Sequence, residues 1–388
     1  MLSRRLQRDG YVVGVAADGP AALAAIARDP FDVVLLDVEM PGMTGFDVLK
    51  EVRRTRSPAE LPVLIATARN DRQDILTALG LGANDFVTKP LDFAVVSARV
   101  RTQLGHKRAV DRGAALAADL VRRNADLERA NGRMRQSLDM ASRVQRSLLP
   151  AGPLRVPGLS FAWVYEPCDE LGGDTLNIFP LGPDHVGFYL LDVSGHGVPS
   201  ALMAVTLSRM LAAVPGQPSL VERVGAAGPE PRPPVDVVNE LNRRFQMASA
   251  TGAQYFTLFY GVLDVPGRQL RYVSAGHPPA LYLPAGGTPR WLEDPSFAVG
   301  WFADPEYEER TLALAPGDRL FVYSDGCTET LDPAVNQFGT ARMAAACCDA
   351  RGAALQGTLD LLLQRMAGHR GGGAADDDIS ALAVEVGG

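Results

Sequence analysis

Between residues 11 and 92, short unbroken apolar runs alternate with longer stretches in which apolar residues return every three or four positions, the signature of alternating strands and helices. Strands are predicted at Tyr11 to Ala16, Phe31 to Val38, Pro62 to Thr67 and Asp85 to Thr88. Helices are predicted at Pro20 to Arg28, Gly45 to Arg54 and Asp71 to Leu81, and from about Phe93 onward. Such alternation with apolar strands predicts a doubly wound parallel α/β domain, which binds ligands beyond the carboxyl ends of its strands. From Leu116 to Leu149 the chain reads as one helix, with a single glycine, Gly132, and no proline before Pro150. Leu120, Leu127, Met134, Ala141 and Leu148 recur every seven residues, with Leu116 and Leu138 alongside, and predict a parallel coiled coil. Asn124, Asn131 and Gln145 interrupt that seam and are expected to set its register. The competing reading is a single amphipathic helix packed on its own domain.

In the second half of the chain, strand-like runs end or begin at acidic, glycine-flanked turns: Gly172-Gly173-Asp174, Asp192-Val193-Ser194-Gly195-His196-Gly197, Ser324-Asp325-Gly326 and Asp376-Asp377-Asp378. One Asp-Gly turn is ordinary turn chemistry. Four of them at strand ends predict a site for hard divalent cations, which prefer oxygen ligands. The Pro-rich stretch Val214 to Pro234 reads as an exposed loop between two helices.

Composition sets bounds on these readings. A chain of 388 residues, 47% hydrophobic, holds two or three domains with real cores. With 38 basic and 45 acidic residues the net charge is −7, which gives no reason to expect nucleic-acid binding. Cys168, Cys327, Cys347 and Cys348 lack CxxC spacing and suit reduced thiols rather than disulfides or zinc. Without an apolar run of transmembrane length or a signal peptide, the expectation is a cytoplasmic protein that does not engage the membrane.

The order and wording of the acidic turns resemble the type 2C protein phosphatases, in their SpoIIE-like and RsbU-like branch. The resemblance covers about Leu138 to Val386 and includes Ala141 to Pro150, Phe256-Thr257-Leu258-Phe259-Tyr260-Gly261 and Ser274-Ala275-Gly276-His277-Pro278-Pro279. It implies an α-β-β-α sandwich and two Mn²⁺ or Mg²⁺ ions roughly 3.5–4 Å apart. By the same resemblance, Asp174 and Asp192 are the catalytic carboxylates. They bind metal together with the Val193 carbonyl, while Asp325, Asp377 and Asp378 hold the other ion. Asn177 stands where many relatives carry Asp, and no arginine matches the phosphate-gripping one found outside this branch. His196 reads as a hydrogen-bond donor or proton shuttle beside the metals, and His277 as a turn stabiliser.

Asp37 to Gly45 and Val87-Thr88-Lys89-Pro90 resemble the response-regulator receiver domain. The resemblance makes Asp37 the phosphoacceptor and Thr67, Phe86 and Lys89 the switch residues, with a cis Lys89-Pro90 bond and Mg²⁺ in an intact receiver. Receivers begin with a strand ending in an acidic pair, whereas Met1 to Leu6 already reads as the first helix. The expectation is a flavodoxin-like receiver lacking its first strand, with a start placed too far downstream and impaired Mg²⁺ binding and phosphorylation. The predicted organisation is receiver 1–106, coiled-coil linker 107–150 and phosphatase 151–388. The expected function is dephosphorylation of a phosphoserine protein such as an anti-sigma-factor antagonist. Regulation is expected through a sensor histidine kinase and Asp37, in a homodimer joined by the linker helix; the rival reading is a non-catalytic partner-switching scaffold.

Overall fold

The computed structural model describes residues 2–68, 72–152, 154–212, 219–225, 228–248 and 254–387. The chain forms two compact units, Met1–Asn131 and Gly132–Gly388. The first contains α1 (Leu2–Arg8), α2 (Gly19–Arg28), β1 (Val34–Asp37), α3 (Gly45–Thr55), β2 (Val63–Thr67), α4 (Arg72–Gly80), β3 (Asp85–Thr88) and the start of α5 (Phe93–Arg146). Local chemistry sets the helix starts: the Asp18 carboxylate accepts from the Ala21 amide, and Thr44 and Asp47 form a reciprocal capping box. The strands pair in parallel in the order β1-β2-β3. Central β2 is buried on both faces, with Val63 and Ile65 packing among Leu36, Val48 and Leu49, and Leu64 and Ala66 against Val87, Val96 and Val100. That explains its unbroken apolar sequence.

Tyr11 to Ala16, expected as a strand, is not one. Among the described residues nothing pairs with it, and Val12 and Val15 are 102% and 81% exposed. A strand persists only where a neighbour takes its N–H and C=O groups, and β1 is bonded on its β2 side alone. The apolar sequence is present, but its hydrogen-bonding partner is not among these strands.

Helix α5 is continuous for 54 residues, and Leu116, Leu120, Leu127 and Met134 are exposed along it. The second unit continues with β4 (Leu159–Glu166), β5 (Asp174–Pro180), β6 (His185–Val193), α6 (Val198–Met210), β7 (Glu222–Gly225), β8 (Gly228–Pro231) and α7 (Pro234–Ala248). Next come β9 (Phe256–Asp264), β10 (Gln269–Ala275), β11 (Ala280–Leu283), β12 (Arg290–Leu292), β13 (Arg310–Ala313) and β14 (Arg319–Tyr323). It ends with α8 (Gly326–Glu329), α9 (Gly339–Asp349), α10 (Leu355–Arg370) and β15 (Ile379–Val386).

Two five-stranded antiparallel sheets form, β13-β10-β9-β6-β5 and β12-β11-β14-β15-β4. They pack face to face through Leu176, Phe188, Leu190 and Phe259 on one side and Phe161, Val322, Leu382 and Val384 on the other. Alternate residues of the same strands turn outward to helices. Tyr189, Leu191 and Val193 meet Ala204, Leu207, Val237 and Leu241 of α6 and α7, whereas Ala381 and Ala383 meet Met343, Leu359 and Leu362 of α9 and α10. The result is the expected α-β-β-α sandwich, in which strand period two serves two buried faces.

The Val214 to Pro234 stretch is more structured than expected. Residues 214–218 and 226–227 lie outside the described residues, but β7 and β8 form an antiparallel ribbon, and Leu220 and Val221 are buried in the helix-side core. Prolines signal turns, and here they fall where Pro231 can end a two-stranded edge.

One buried cation ties the second sheet to its helices. Arg319 bonds the Glu385 carboxylate at 2.7 Å, the Ala353 carbonyl at 2.7 Å and the Thr358 hydroxyl at 3.1 Å, and only 6% of it is exposed. Removing it strands a partly exposed carboxylate and several buried acceptors. Arg319→Ala is expected to cost about 3–5 kcal/mol of unfolding free energy, read from urea melts; a loss below 1 kcal/mol would show that the network is dispensable.

Candidate active site

Strand register brings the first two carboxylates together. Asp174 opens β5, Asp192 lies near the end of β6, and the two residues are direct partners in the antiparallel ladder. Opposed residues share a face with Cβ atoms about 5 Å apart, an arrangement that is unfavourable for like charges. From the facing sheet, β14 leads to Asp325 just before α8, and Asp377 lies two residues before the first residue of β15. Because β14 and β15 are antiparallel neighbours, these carboxylates emerge at one end of the sheet.

Each acid feels the others. Burial and then the charges of Asp192 and Asp378 push the Asp174 carboxyl well above its usual range. The Ser324 and Ser380 hydroxyls partly offset this without completing a hydrogen bond, and neither Asp174 oxygen has a partner although the residue is 1% exposed. Burial, followed by Asp325, Asp377 and Asp378, raises Asp192 to about 7. Burial and Asp377 raise Asp325 to about 6, and burial is the main cause of the upward shift of Asp377. A buried, unpaired carboxylate costs several kcal/mol unless a cation or proton answers it. The donor set, hard anionic oxygens lacking a counter-charge, fits Mg²⁺ or Mn²⁺.

Asp378, expected among the ligands, holds backbone of the same site. One of its oxygens accepts from the Cys168 amide at 2.9 Å, and the other from the Gly173 and Asp174 amides at 2.6 and 3.3 Å. Both oxygens thus accept from backbone amides. Among the described residues no three His, Cys, Asp or Glu side chains are arranged to hold one ion. The arrangement suits ions that take one or two carboxylates each and keep several waters. Glycine is required for this close approach. A Cβ on Gly172 would stand 2.6 Å from an Asp378 oxygen, and one on Gly326 would stand 2.1 Å from the Asp378 carbonyl.

A contribution that the sequence pattern concealed comes from Gln145, expected only as an interruption of the coiled-coil seam. It is 5% exposed, and its amide donates to the Gly172 carbonyl at 2.6 Å and accepts from the Gly172 N–H at 3.3 Å. The end of α5 therefore grips the turn that carries Asp174. The signal in the sequence is an uncharged polar residue at an interior seam position directly before an acidic site.

The histidines separate cleanly. His196 is exposed, and its Nδ1 lies 3.1 Å from Asp169. His277 is buried with Nδ1 2.8 Å from the Thr257 hydroxyl, and burial pushes its pKa down to about 3, so it stays neutral. Its carbonyl accepts from the Ser274 hydroxyl at 3.4 Å within the turn after β10, and because Thr257 is the ladder partner of Asp192, the ring also lies behind the site. Asn177 bonds the Leu148 carbonyl at 3.4 Å and supports the chain leaving α5.

In the first unit, the Lys89 ammonium lies 2.7 Å from Asp37 and 3.6 Å from Glu39, and the hydrogen bond to Asp37 raises its pKa. Thr67 is buried, with its hydroxyl 3.4 Å from Asp74. Phe86 is partly buried under the Arg99 guanidinium, 5.3 Å from the ring centre, and Lys89-Pro90 is cis. Asp37, Thr67 and Lys89 thus gather at the carboxyl ends of the three strands, and Phe86 lies within β3.

Truncating Gln145 leaves both backbone groups of Gly172 unsatisfied. Gln145→Ala is expected to lower stability by about 1–3 kcal/mol and to speed hydrogen exchange in residues 170–175, with exposed Ser147→Ala as a silent control. Unchanged exchange there would show that α5 does not hold this turn.

Comparison with known proteins follows the two units. Residues 182–387 match the family model of stage II sporulation protein E (SpoIIE), and residues 1–101 match the response regulator receiver domain. The response regulator PleD of Caulobacter vibrioides is 42% identical over 111 residues, 29% of this chain and 24% of its own length. The phosphoserine phosphatase RsbP of Bacillus subtilis is 28% identical over 202 residues, 51% of this chain and 46% of its own. The chain therefore spans less than half of either relative. The SiaA-PP2C domain of Pseudomonas aeruginosa superposes with a TM-score of 0.55 at 22% identity, covering 66% of this chain and 98% of that one, and shares the fold. With the family model covering more than half of its length, this chain belongs to the SpoIIE family and carries a receiver domain ahead of its type 2C phosphatase fold.

Proposed function

We propose that the chain is a metal-dependent protein serine/threonine phosphatase whose substrate is a phosphoserine protein such as an anti-sigma-factor antagonist. One observation carries this reading: Asp174 is buried with both oxygens unpartnered beside Asp192, which itself feels Asp325, Asp377 and Asp378, and among the described residues no Lys or Arg forms a salt bridge with this cluster. Asp174, Asp192 and the Val193 carbonyl would hold one divalent ion, and Asp325 and Asp377 the other. When bound, the ions neutralise phosphoryl charge and acidify the attacking water.

The chain's own residues do the remainder. Asp378 and Gln145 fix the turn from which Asp174 projects, so the carboxylates are positioned before substrate arrives. Ser324 and Ser380 keep neutral hydroxyls rather than cations against Asp174, preserving its demand for metal. His196, exposed and near Asp377, would pass a proton to the departing seryl oxygen, with Asp169 holding its ring. The receiver residues Asp37, Thr67 and Lys89 support regulation by a sensor histidine kinase through phosphorylation of Asp37. The exposed leucines of α5 support a homodimer through that helix.

The test is hydrolysis of p-nitrophenyl phosphate with Mn²⁺. Asp192→Asn and Asp325→Asn are each expected to lower kcat/KM by about 10²–10³, the usual scale for losing one preorganised charge-stabilising group. Chelation is expected to abolish the rate, and added Mn²⁺ to restore it. Equal rates in wild type and both variants would favour the non-catalytic scaffold instead.

A further inference from the structure

Beside the acidic site lies a surface that its chemistry does not use. Tyr255, Phe297, Trp301 and Phe302 are 36%, 54%, 57% and 47% exposed and touch one another. Ring centres are 4.6 Å apart for Tyr255 and Trp301, 4.6 Å for Phe297 and Phe302, and 6.4 Å for Trp301 and Phe302. Scattered exposed aromatics need no explanation, but a contiguous patch of four does.

The patch is joined to the carboxylate loop by backbone. The Ser194 amide donates to the Tyr255 carbonyl at 2.9 Å, and the Tyr255 amide donates to the Ser194 hydroxyl at 3.2 Å. Val193 pairs with Phe256, and Phe256 bridges to Val299, so the aromatic turn lies two strand spacings, roughly 10 Å, from Val193. Buried Asn242 holds the turn rigid. Its amide donates to the Phe302 and Ala303 carbonyls at 3.2 and 3.3 Å, its oxygen accepts from the Gly300 amide at 2.8 Å, and it is 3% exposed. A buried side chain that spends three hydrogen bonds on an exposed aromatic turn describes a preorganised binding surface, in which little ordering entropy is lost on contact.

We infer that this patch docks apolar side chains flanking the phosphoserine of the protein substrate. The inference rests on the phosphatase reading above and adds the source of its selectivity. Carboxylates and metals recognise a phosphate monoester alike on any protein, so discrimination has to come from neighbouring surface. Roughly 10 Å corresponds to about three residues of extended chain, which sets the apolar anchor two to four positions from the phosphoserine. Trp and Tyr are the side chains most often found to dominate such contacts.

The probes are two synthetic phosphoserine decapeptides, one with Leu and Phe two to four residues from the phosphoserine and one with Ser and Gly there, alongside p-nitrophenyl phosphate. Wild type is expected to prefer the apolar peptide about tenfold in kcat/KM. Trp301→Ser and Phe297→Ser are expected to erase that preference with p-nitrophenyl phosphate turnover unchanged, and Trp301→Phe to retain it. Equal use of both peptides by wild type, or a preference that survives Trp301→Ser, overturns the docking surface. A change in oligomeric state on Trp301→Ser with the preference intact would reassign the patch to self-association. No hydrolysis of any probe would instead overturn the phosphatase reading, so the two failures are distinct.

Discussion

The central physical constraint is repulsion. Four carboxylates meet at one end of a two-sheet sandwich, and one of them, Asp174, is buried with no hydrogen bond to either oxygen. Such a cluster is unstable by itself, and it persists only because the surrounding backbone overdetermines it. Asp378 supplies much of that constraint: its three bonds to backbone amides join the start of β15 to the turn that carries Asp174. Glycines at 172 and 326 let the segments approach closely enough for this to happen.

Rigidity of the sandwich makes the constraint affordable. Strands β6 and β15 are buried on both faces, each alternate residue feeding a different core. Burying one large apolar side chain contributes roughly 1.5–3 kcal/mol, so a few such residues offset one poorly satisfied carboxylate. Gln145 extends the same logic to α5, because its paired bonds to Gly172 make the turn part of the helix end.

Much of this was legible in the residues. Acidic turns at strand ends, the heptad in α5, and the strand-end set of Asp37, Thr67 and Lys89 all follow from local pattern; the structure gathers the acidic turns and the strand-end set, and leaves the heptad leucines exposed on a continuous helix. What escaped is non-local. Tyr11 to Ala16 has strand composition, yet strands need partners, which composition does not reveal. Asp378 and Asp377 are indistinguishable by type, and only the hydrogen bonds from Cys168, Gly173 and Asp174 separate the clamp from its neighbour. Gln145 fitted a coiled-coil interpretation, and its actual partner lies 27 positions downstream. The ribbon of β7 and β8 was hidden because proline is read as a breaker even where an edge strand tolerates it.

Crystals grown with Mn²⁺ and measured for anomalous scattering test the central claim most directly. The account predicts two manganese peaks about 3.5–4 Å apart, bounded by Asp174, Asp192, the Val193 carbonyl, Asp325 and Asp377, with Asp378 still on its backbone amides. Peaks centred on Asp378, peaks elsewhere, or none at saturating Mn²⁺ would contradict it.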